Sequence, residues 1–363
     1  MRSFVRQVHL WMGLTFGALF VLLGLTGSVL VFYPEIDALL HPEIRAEGRH
    51  TPDWDRALAT VRSAYPDKAG AWRFEVTDGQ GTIPARYYNP PETAGRGFAP
   101  MMVWLSPDGG QVLRRDYWGD YAMTFLYDLH YRLLLGAVGG TSLGIAGLVL
   151  LVLLVSGLWA WWPRGSLAKA LAYKRRAALS RRLRDQHKLA GLGSLILLFV
   201  LTLTGVMLEL PRQSDAVLAA LAGPLEPMPA PVSAAWTGRQ IGVAKALRTA
   251  QSALPGARIA WIEVPGADDG AFRFRVQQPG DPSRRFPHSF VWVDQYNGHV
   301  LAVHDAAMMG AATTLNNWAH PLHDGSFGGL ATRVLAVLAG LVPLILFITG
   351  WRRWRGRGST VRQ

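Results

Sequence analysis

Four long stretches of this chain carry almost no charge: residues 10–33, 139–162, 189–210 and 329–351. Each is close to or above the roughly 20 residues that a helix needs to cross a bilayer. Tryptophan residues stand at the ends of the second and fourth stretches, as expected at a membrane interface. The first stretch is too long for a signal peptide and recurs later in the chain, so it is interpreted as a retained anchor. The sequence predicts membrane helices at 1–33, 139–163, 188–210 and 329–352.

The two halves of the chain repeat each other. A shift of 178 positions places Arg6 on Arg184 and His9 on His187, and a shift of 193 places His130 on His323. Repeated helical units that run in the same direction are related by a two-fold axis along the membrane normal. The sequence therefore predicts a four-span bundle from an internal duplication, in which His9 faces His187 and His130 faces His323.

Basic residues are concentrated beside the predicted spans. The formal net charge is +12, and clusters of basic residues precede the first span, fill the segment 164–187 and follow the fourth span. Positive charge marks the cytoplasmic side of membrane proteins. We therefore predict cytoplasmic N- and C-termini, a cytoplasmic loop at 164–187 and a cytoplasmic tail at 353–363. A basic strip of this kind contacts anionic membrane lipid, and it does not indicate a nucleic-acid partner.

The segments 34–138 and 211–328 then lie outside, and their composition is that of folded domains. Each contains one amphipathic helix, predicted at 54–65 and 239–254. Each also contains a strand pair joined by a glycine-containing turn, at 103–113 and 291–301. Further strands are predicted at 71–76, 85–88, 257–264 and Ala271–Gln277. Each segment is therefore predicted to be a small α+β module, with one helix against an antiparallel sheet.

The order of these elements resembles the PepSY-associated transmembrane family. The resemblance rests on a histidine-led first helix, a helix–strand–hairpin module, the segment from Leu129-His130 to Gly136, and a span that ends Ser156-Gly157 and Trp161-Trp162-Pro163-Arg164. It covers nearly the whole chain and implies a bacterial inner-membrane protein with two PepSY-like modules in the periplasm. Members of the family resemble ferric-siderophore reductases that carry b-type haem. The resemblance thus implies two haem b groups and a periplasmic ferric-siderophore acceptor.

The four repeated histidines are the candidate haem ligands. Two opposed imidazoles are the right number and type for a six-coordinate haem iron. We assign His9 with His187 to one haem iron, and His130 with His323 to a second. His320 is an alternative to His323, because the two residues are three positions apart on one helix. The chain has no cysteine, which excludes c-type attachment, Fe–S clusters and disulfides.

Nucleotide-binding and hydrolase motifs are missing from the sequence, so electrons must come from a quinol or a cytoplasmic reductase. Two other functions stay open: a non-enzymatic module that binds or inhibits a periplasmic protein, and an iron-chelate permease. The Ser/Thr-Gly pairs near the span ends are interpreted as helix-packing positions. Arg333 is either a partner of a haem propionate or, preferably, an interfacial anchor.

Overall fold

A computed structural model describes residues 1–45, 50–77, 81–163, 165–234 and 238–359. Arg164 and residues 360–363, which belong to the predicted cytoplasmic loop and tail, lie outside the described residues. The chain divides into two units. The membrane unit comprises Met1–Phe32, Leu126–Ser214 and Leu322–Gln363, and the sheet unit comprises Tyr33–Phe125 and Asp215–Pro321.

The helices, in chain order, are α1 Arg2–Leu30, α2 Tyr33–Leu40, α3 Trp54–Ala64, α4 Ala122–Arg132, α5 Gly136–Trp161, α6 Leu167–Leu171, α7 Leu179–Glu209, α8 Pro211–Ala222, α9 Val243–Ala253, α10 Ala311–His323 and α11 Gly329–Ser359. The strands are β1 Trp72–Glu75, β2 Ile83–Tyr87, β3 Met101–Leu105, β4 Val112–Tyr117, β5 Arg258–Val264, β6 Ala271–Gln277, β7 Ser289–Asp294 and β8 Val300–His304. Helices α1, α5, α7 and α11 are long and apolar enough to cross a membrane, which confirms the four predicted spans.

The four long helices form a closed ring. Helix α1 packs on α5 and α11, and α7 packs on the same two helices. Helices α1 and α11 approach very closely at two glycines: a Cβ on Gly24 would lie 2.2 Å from the carbonyl oxygen of Gly340. Small residues at such crossings let helix backbones meet inside a membrane, where lipid gives no hydrophobic drive for association.

Helix α7 begins at Leu179, inside the segment predicted to be a loop. The buried carboxylate of Asp185 explains this extension, because it pairs with Arg181 at 3.0 Å and with Lys188 at 3.3 Å. Both partners lie within one turn on the same helix face, so the charges stabilise helical structure before the apolar span starts.

Tight turns connect the short histidine-bearing helices to the second and fourth spans. Gly136 (φ +60°) and Gly329 (φ +66°), the first residues of α5 and α11, both have positive φ angles. In the first half, Leu133 (φ +50°) and Leu134 (φ +60°) are also left-handed. This conformation costs an L-residue roughly 1–2 kcal/mol. The strained turn lies three residues after His130 and fixes where α4 ends relative to α5.

The eight strands form one antiparallel sheet in the order β4-β3-β2-β1-β5-β6-β7-β8. Strands β1 and β5 pair at its centre, with Phe74 opposite Ile262. One face packs on α3 and α9 around fully buried Phe74, Phe272 and Val103. The sequence predicted two separate modules, whereas the strands of both segments join in a single sheet. The assignment of the segments as PepSY-like modules stays a prediction.

Candidate functional site: two pairs of histidines

The first histidine pair lies between α1 and α7. The ring centres of His9 and His187 are 6.2 Å apart and their planes are perpendicular. Both rings line a cavity of about 830 Å³ inside the bundle. Small and apolar residues line much of this cavity, among them Gly13, Gly191 and Leu198, and basic side chains, including Arg6 and Arg184, line it as well.

The second pair lies on the short helices that precede α5 and α11. The ring centres of His130 and His323 are also 6.2 Å apart, with the planes inclined at 46°. His320, the alternative candidate, instead packs against Phe286 in the sheet unit, with ring centres 4.7 Å apart. The structure therefore brings together all four repeated histidines as two pairs, and it pairs His130 with His323.

Each histidine docks on a Leu-x-x-Ser/Thr-Gly motif of another helix. His9 Nδ1 lies 3.1 Å from the carbonyl oxygen of Leu153 and 3.2 Å from Ser156 Oγ. His187 Nδ1 lies 3.1 Å from the carbonyl oxygen of Leu346 and 2.9 Å from Thr349 Oγ1. The two contacts are thus the same in both halves of the chain.

The second pair repeats the pattern on α1 and α7. His323 Nδ1 is 2.9 Å from the carbonyl oxygen of Leu201 and 3.3 Å from Thr204 Oγ1. His130 Nδ1 is 3.0 Å from Thr26 Oγ1, and its ring donates to the carbonyl oxygen of Leu23. Every long helix therefore carries one docking motif and receives one histidine.

The docking contacts fix the tautomer of the imidazoles. The hydroxyl of Thr349 donates to the carbonyl oxygen of Ile345 at 2.7 Å, and that of Thr204 donates to Val200 at 2.7 Å. Because each hydroxyl donates its proton to a carbonyl oxygen of its own helix, its oxygen can only accept a hydrogen bond from the histidine Nδ1. The neighbouring carbonyl oxygen also only accepts. The proton is therefore on Nδ1, which leaves the lone pair on Nε2, the nitrogen that metals bind.

The glycine of each motif makes room for the ring. A Cβ built on Gly157 would lie 2.9 Å from His9 Cε1, and the same distance separates Gly27 from His130 and Gly205 from His323. For Gly350 and His187 the distance is 3.6 Å. The interpretation of the Ser/Thr-Gly pairs as helix-packing positions was therefore incomplete, because they hold the histidines. Their common spacing from a leucine, repeated four times, was the signal in the sequence.

The two histidine pairs lie at opposite ends of the bundle. Gly27, which contacts His130, follows His9 by 18 positions (27 − 9) on α1, and Gly205 follows His187 by 18 positions (205 − 187) on α7. Eighteen residues of helix rise about 27 Å. This separation is close to the roughly 30 Å thickness of the hydrocarbon core.

Arg333, the candidate partner of a propionate, contacts the end of α1 instead. It donates to the carbonyl oxygen of Val31 at 2.7 Å, and its guanidinium lies 4.2 Å from the ring centre of Phe32. These contacts support the role of an anchor between helices.

The chain matches one family of known proteins over most of its length. The family model described as "PepSY-associated TM region" matches residues 6–357. No curated protein matches the chain. Because the match covers nearly the whole sequence, including all four paired histidines and their docking motifs, this chain belongs to the PepSY-associated transmembrane family.

Proposed function

We propose that this chain is a membrane electron conduit that holds two b-type haems and reduces an acceptor on the outer side of a bacterial inner membrane. The observation that carries the proposal is the presence of two histidine pairs, each spaced for one metal and placed at opposite ends of the bundle. His9 and His187 would hold the first haem iron, and His130 and His323 the second.

The spacing of the rings fits two imidazoles on one metal ion. A metal–imidazole bond is about 2.0 Å long and the ring nitrogen lies about 1.1 Å from the ring centre, so two imidazoles that bind one metal in line would have ring centres about 6.2 Å apart. Both pairs have a separation of 6.2 Å. Among the described residues, no three His, Asp or Glu side chains gather as a metal site. A two-ligand site fits haem, whose porphyrin supplies the other four donors.

The protein contributes position and electrostatics to this chemistry. Bound haem would supply an iron that cycles between the ferric and ferrous states. The carbonyl and hydroxyl acceptors on Nδ1 hold each ring in place and make Nε2 a stronger donor. With two histidines as ligands, a bound haem would lack an open position for oxygen and would be suited to electron transfer. The basic residues that line the cavity near His9, such as Arg6 and Arg184, suit the propionate carboxylates.

The acceptor proposed from the family is a periplasmic ferric-siderophore complex. One electron from a quinol or a cytoplasmic reductase would convert its Fe(III) to Fe(II), and hard oxygen donors hold Fe(II) less tightly. The distribution of positive charge supports cytoplasmic termini and therefore outward transfer. The proposed partners do not include nucleic acid, and membrane lipid surrounds the four long helices.

The proposal is tested by the haem content of the purified full-length chain. We expect an intense Soret band, α and β bands that sharpen on reduction with dithionite, and two haems per chain by pyridine haemochrome assay. A folded but colourless protein would overturn the proposal and favour the non-enzymatic binding module. Flux of a labelled chelate into proteoliposomes without an electron donor would favour the permease.

Removal of a docking hydroxyl is expected to weaken haem binding less than removal of a histidine. Thr204→Val keeps the side-chain shape but removes an acceptor from His323 Nδ1. The loss of one such hydrogen bond is worth about 1 kcal/mol, or roughly a five-fold faster haem dissociation. Thr202→Val is the matched control, because that hydroxyl bonds to Leu198 on its own helix. Equal haem dissociation rates in the two variants would contradict a positioning role for Thr204.

A further inference from the structure

A cluster of arginines lies on the sheet face opposite α3 and α9. Strand pairing places Arg86 opposite Arg73, and Arg73 opposite Glu263. In the adjacent row, Trp261 stands opposite both Glu75 and Arg275. These side chains alternate with the buried core residues of the same strands, so they share the other face. We call this surface the arginine face; its basic residues are Arg73, Arg86, Arg273, Arg275 and Arg285.

Positive charge on the arginine face exceeds the negative charge beside it. Glu263 pairs with Arg73 at 3.4 Å and with Arg273 at 2.7 Å, and Glu75 pairs with Arg285 at 3.0 Å. Within this set, five guanidinium groups against the two carboxylates of Glu75 and Glu263 leave an excess of three positive charges (5 − 2). On the neighbouring strand β4, Arg114 of the same sheet face pairs with Asp116. Arg86 and Arg73 are also direct cross-strand neighbours, an arrangement that destabilises a sheet.

Two of these arginines lack an anionic acceptor among the described residues. In the described part of the chain, neither Arg86 nor Arg275 has an ion-pair or hydrogen-bond partner, and the Nε atom of each is fully buried. Burial lowers the pKa of Arg275 to about 10, with a further contribution from Arg73. Burial also lowers the pKa of Arg86. A partly buried guanidinium whose Nε has no hydrogen-bond acceptor is costly, and an anionic ligand would reduce that cost.

Aromatic rings hold the guanidinium groups in place. Arg73 and Arg86 lie 3.9 Å and 5.2 Å from the ring centre of Trp261. Phe286 stacks on Trp261 at 6.0 Å and lies 5.8 Å from Arg275. A guanidinium that lies over a ring keeps its N–H donors at its edge, where they can meet a planar anion.

We propose that the arginine face binds a ferric chelate of the polycarboxylate class through its outer carboxylates. Arginine donates two parallel hydrogen bonds to one carboxylate, and the unpaired donors of Arg86 and Arg275 are suited to this geometry. A cationic chelate would be repelled by the same charges. The identity of the chelate as electron acceptor rests on the proposed function, whereas the binding of a carboxylate ligand does not.

The test measures binding to the full-length chain in detergent with gallium(III) citrate, a redox-inert analogue of the ferric chelate. We expect saturable binding by isothermal titration calorimetry. Arg86→Gln and Arg275→Gln should each weaken it about ten-fold or more, because each removes a buried charged partner. Arg115→Gln is the matched control: Arg115 is exposed on β4 opposite core residue Val103, and its loss should change the affinity less than two-fold.

Three results would overturn the inference: no binding of gallium citrate, equal affinities in Arg86→Gln and wild type, or tighter binding of a cationic trihydroxamate chelate. Free citrate that binds as tightly as the chelate would overturn the assignment to a chelate. The haem spectrum of the same samples distinguishes failure of chelate binding from failure of the proposed electron conduit. Chelate binding lost with both haems intact contradicts only the arginine face, and a haem-free protein that binds the chelate contradicts only the conduit.

Discussion

Replacing His9 with alanine is expected to reduce the haem content from two per chain to one. His187 alone then faces the cavity of about 830 Å³, and a single imidazole holds haem far more weakly than an opposed pair. His130→Ala should remove the other haem and leave the first. Haemochrome assay and the change in the α band of the reduced protein measure both effects.

His299→Ala is the control for these variants, since His299 is exposed on the sheet unit and should keep both haems. Added imidazole should restore the spectrum of His9→Ala by occupying the place of the lost ring, which separates loss of a ligand from misfolding. If His9→Ala and His130→Ala both keep two haems, the ligand assignment is wrong.

Gly157→Ala is expected to weaken the first haem strongly, while Gly350→Ala leaves it almost unchanged. The new methyl group would lie 2.9 Å from His9 Cε1 in the first variant but 3.6 Å from His187 Cε1 in the second. Overpacking costs about 1–3 kcal/mol, which corresponds to a roughly 5- to 150-fold faster haem loss. The second variant is expected to stay within about two-fold of wild type, because 3.6 Å is an ordinary van der Waals contact.

Transfer of haem to a scavenging apoprotein measures these rates. Alanine favours a helix over glycine by about 1 kcal/mol, so a loss in Gly157→Ala cannot come from helix propensity. Equal haem loss from the two variants would contradict the docking role of the glycine. Gly27→Ala and Gly205→Ala extend the comparison to the second pair, where each contact is 2.9 Å.

Much of the membrane unit was predictable, because apolar length and repeated histidines are local signals. The four spans are confirmed, and the structure places His9 beside His187 and His130 beside His323. Their ligation of haem stays a prediction. The start of α7 differs from the prediction, because eight basic residues against one acid in 164–187 are typical of a loop, and the sequence does not show the ion pairs of buried Asp185.

In the sheet unit, the sequence predicts individual strands but not how the two segments pair. The strand at Ala271–Gln277 was predicted correctly from its alternating pattern. The pairing of β1 with β5, however, depends on which edges meet. The sequence of an edge strand does not indicate which other strand will pair with it. The alternation of Arg273 and Arg275 with phenylalanines likewise suggests a solvated polar face, although Arg275 has a buried Nε atom without an acceptor.

The strand order gives the sheet an internal symmetry. Read outward from the central pair, β1 to β4 and β5 to β8 follow the same sequence of neighbours. Antiparallel contact between equivalent edges is the isologous arrangement that joins two identical subunits in a symmetric dimer. The sheet thus has the strand layout of two four-stranded halves joined edge to edge about a local two-fold axis.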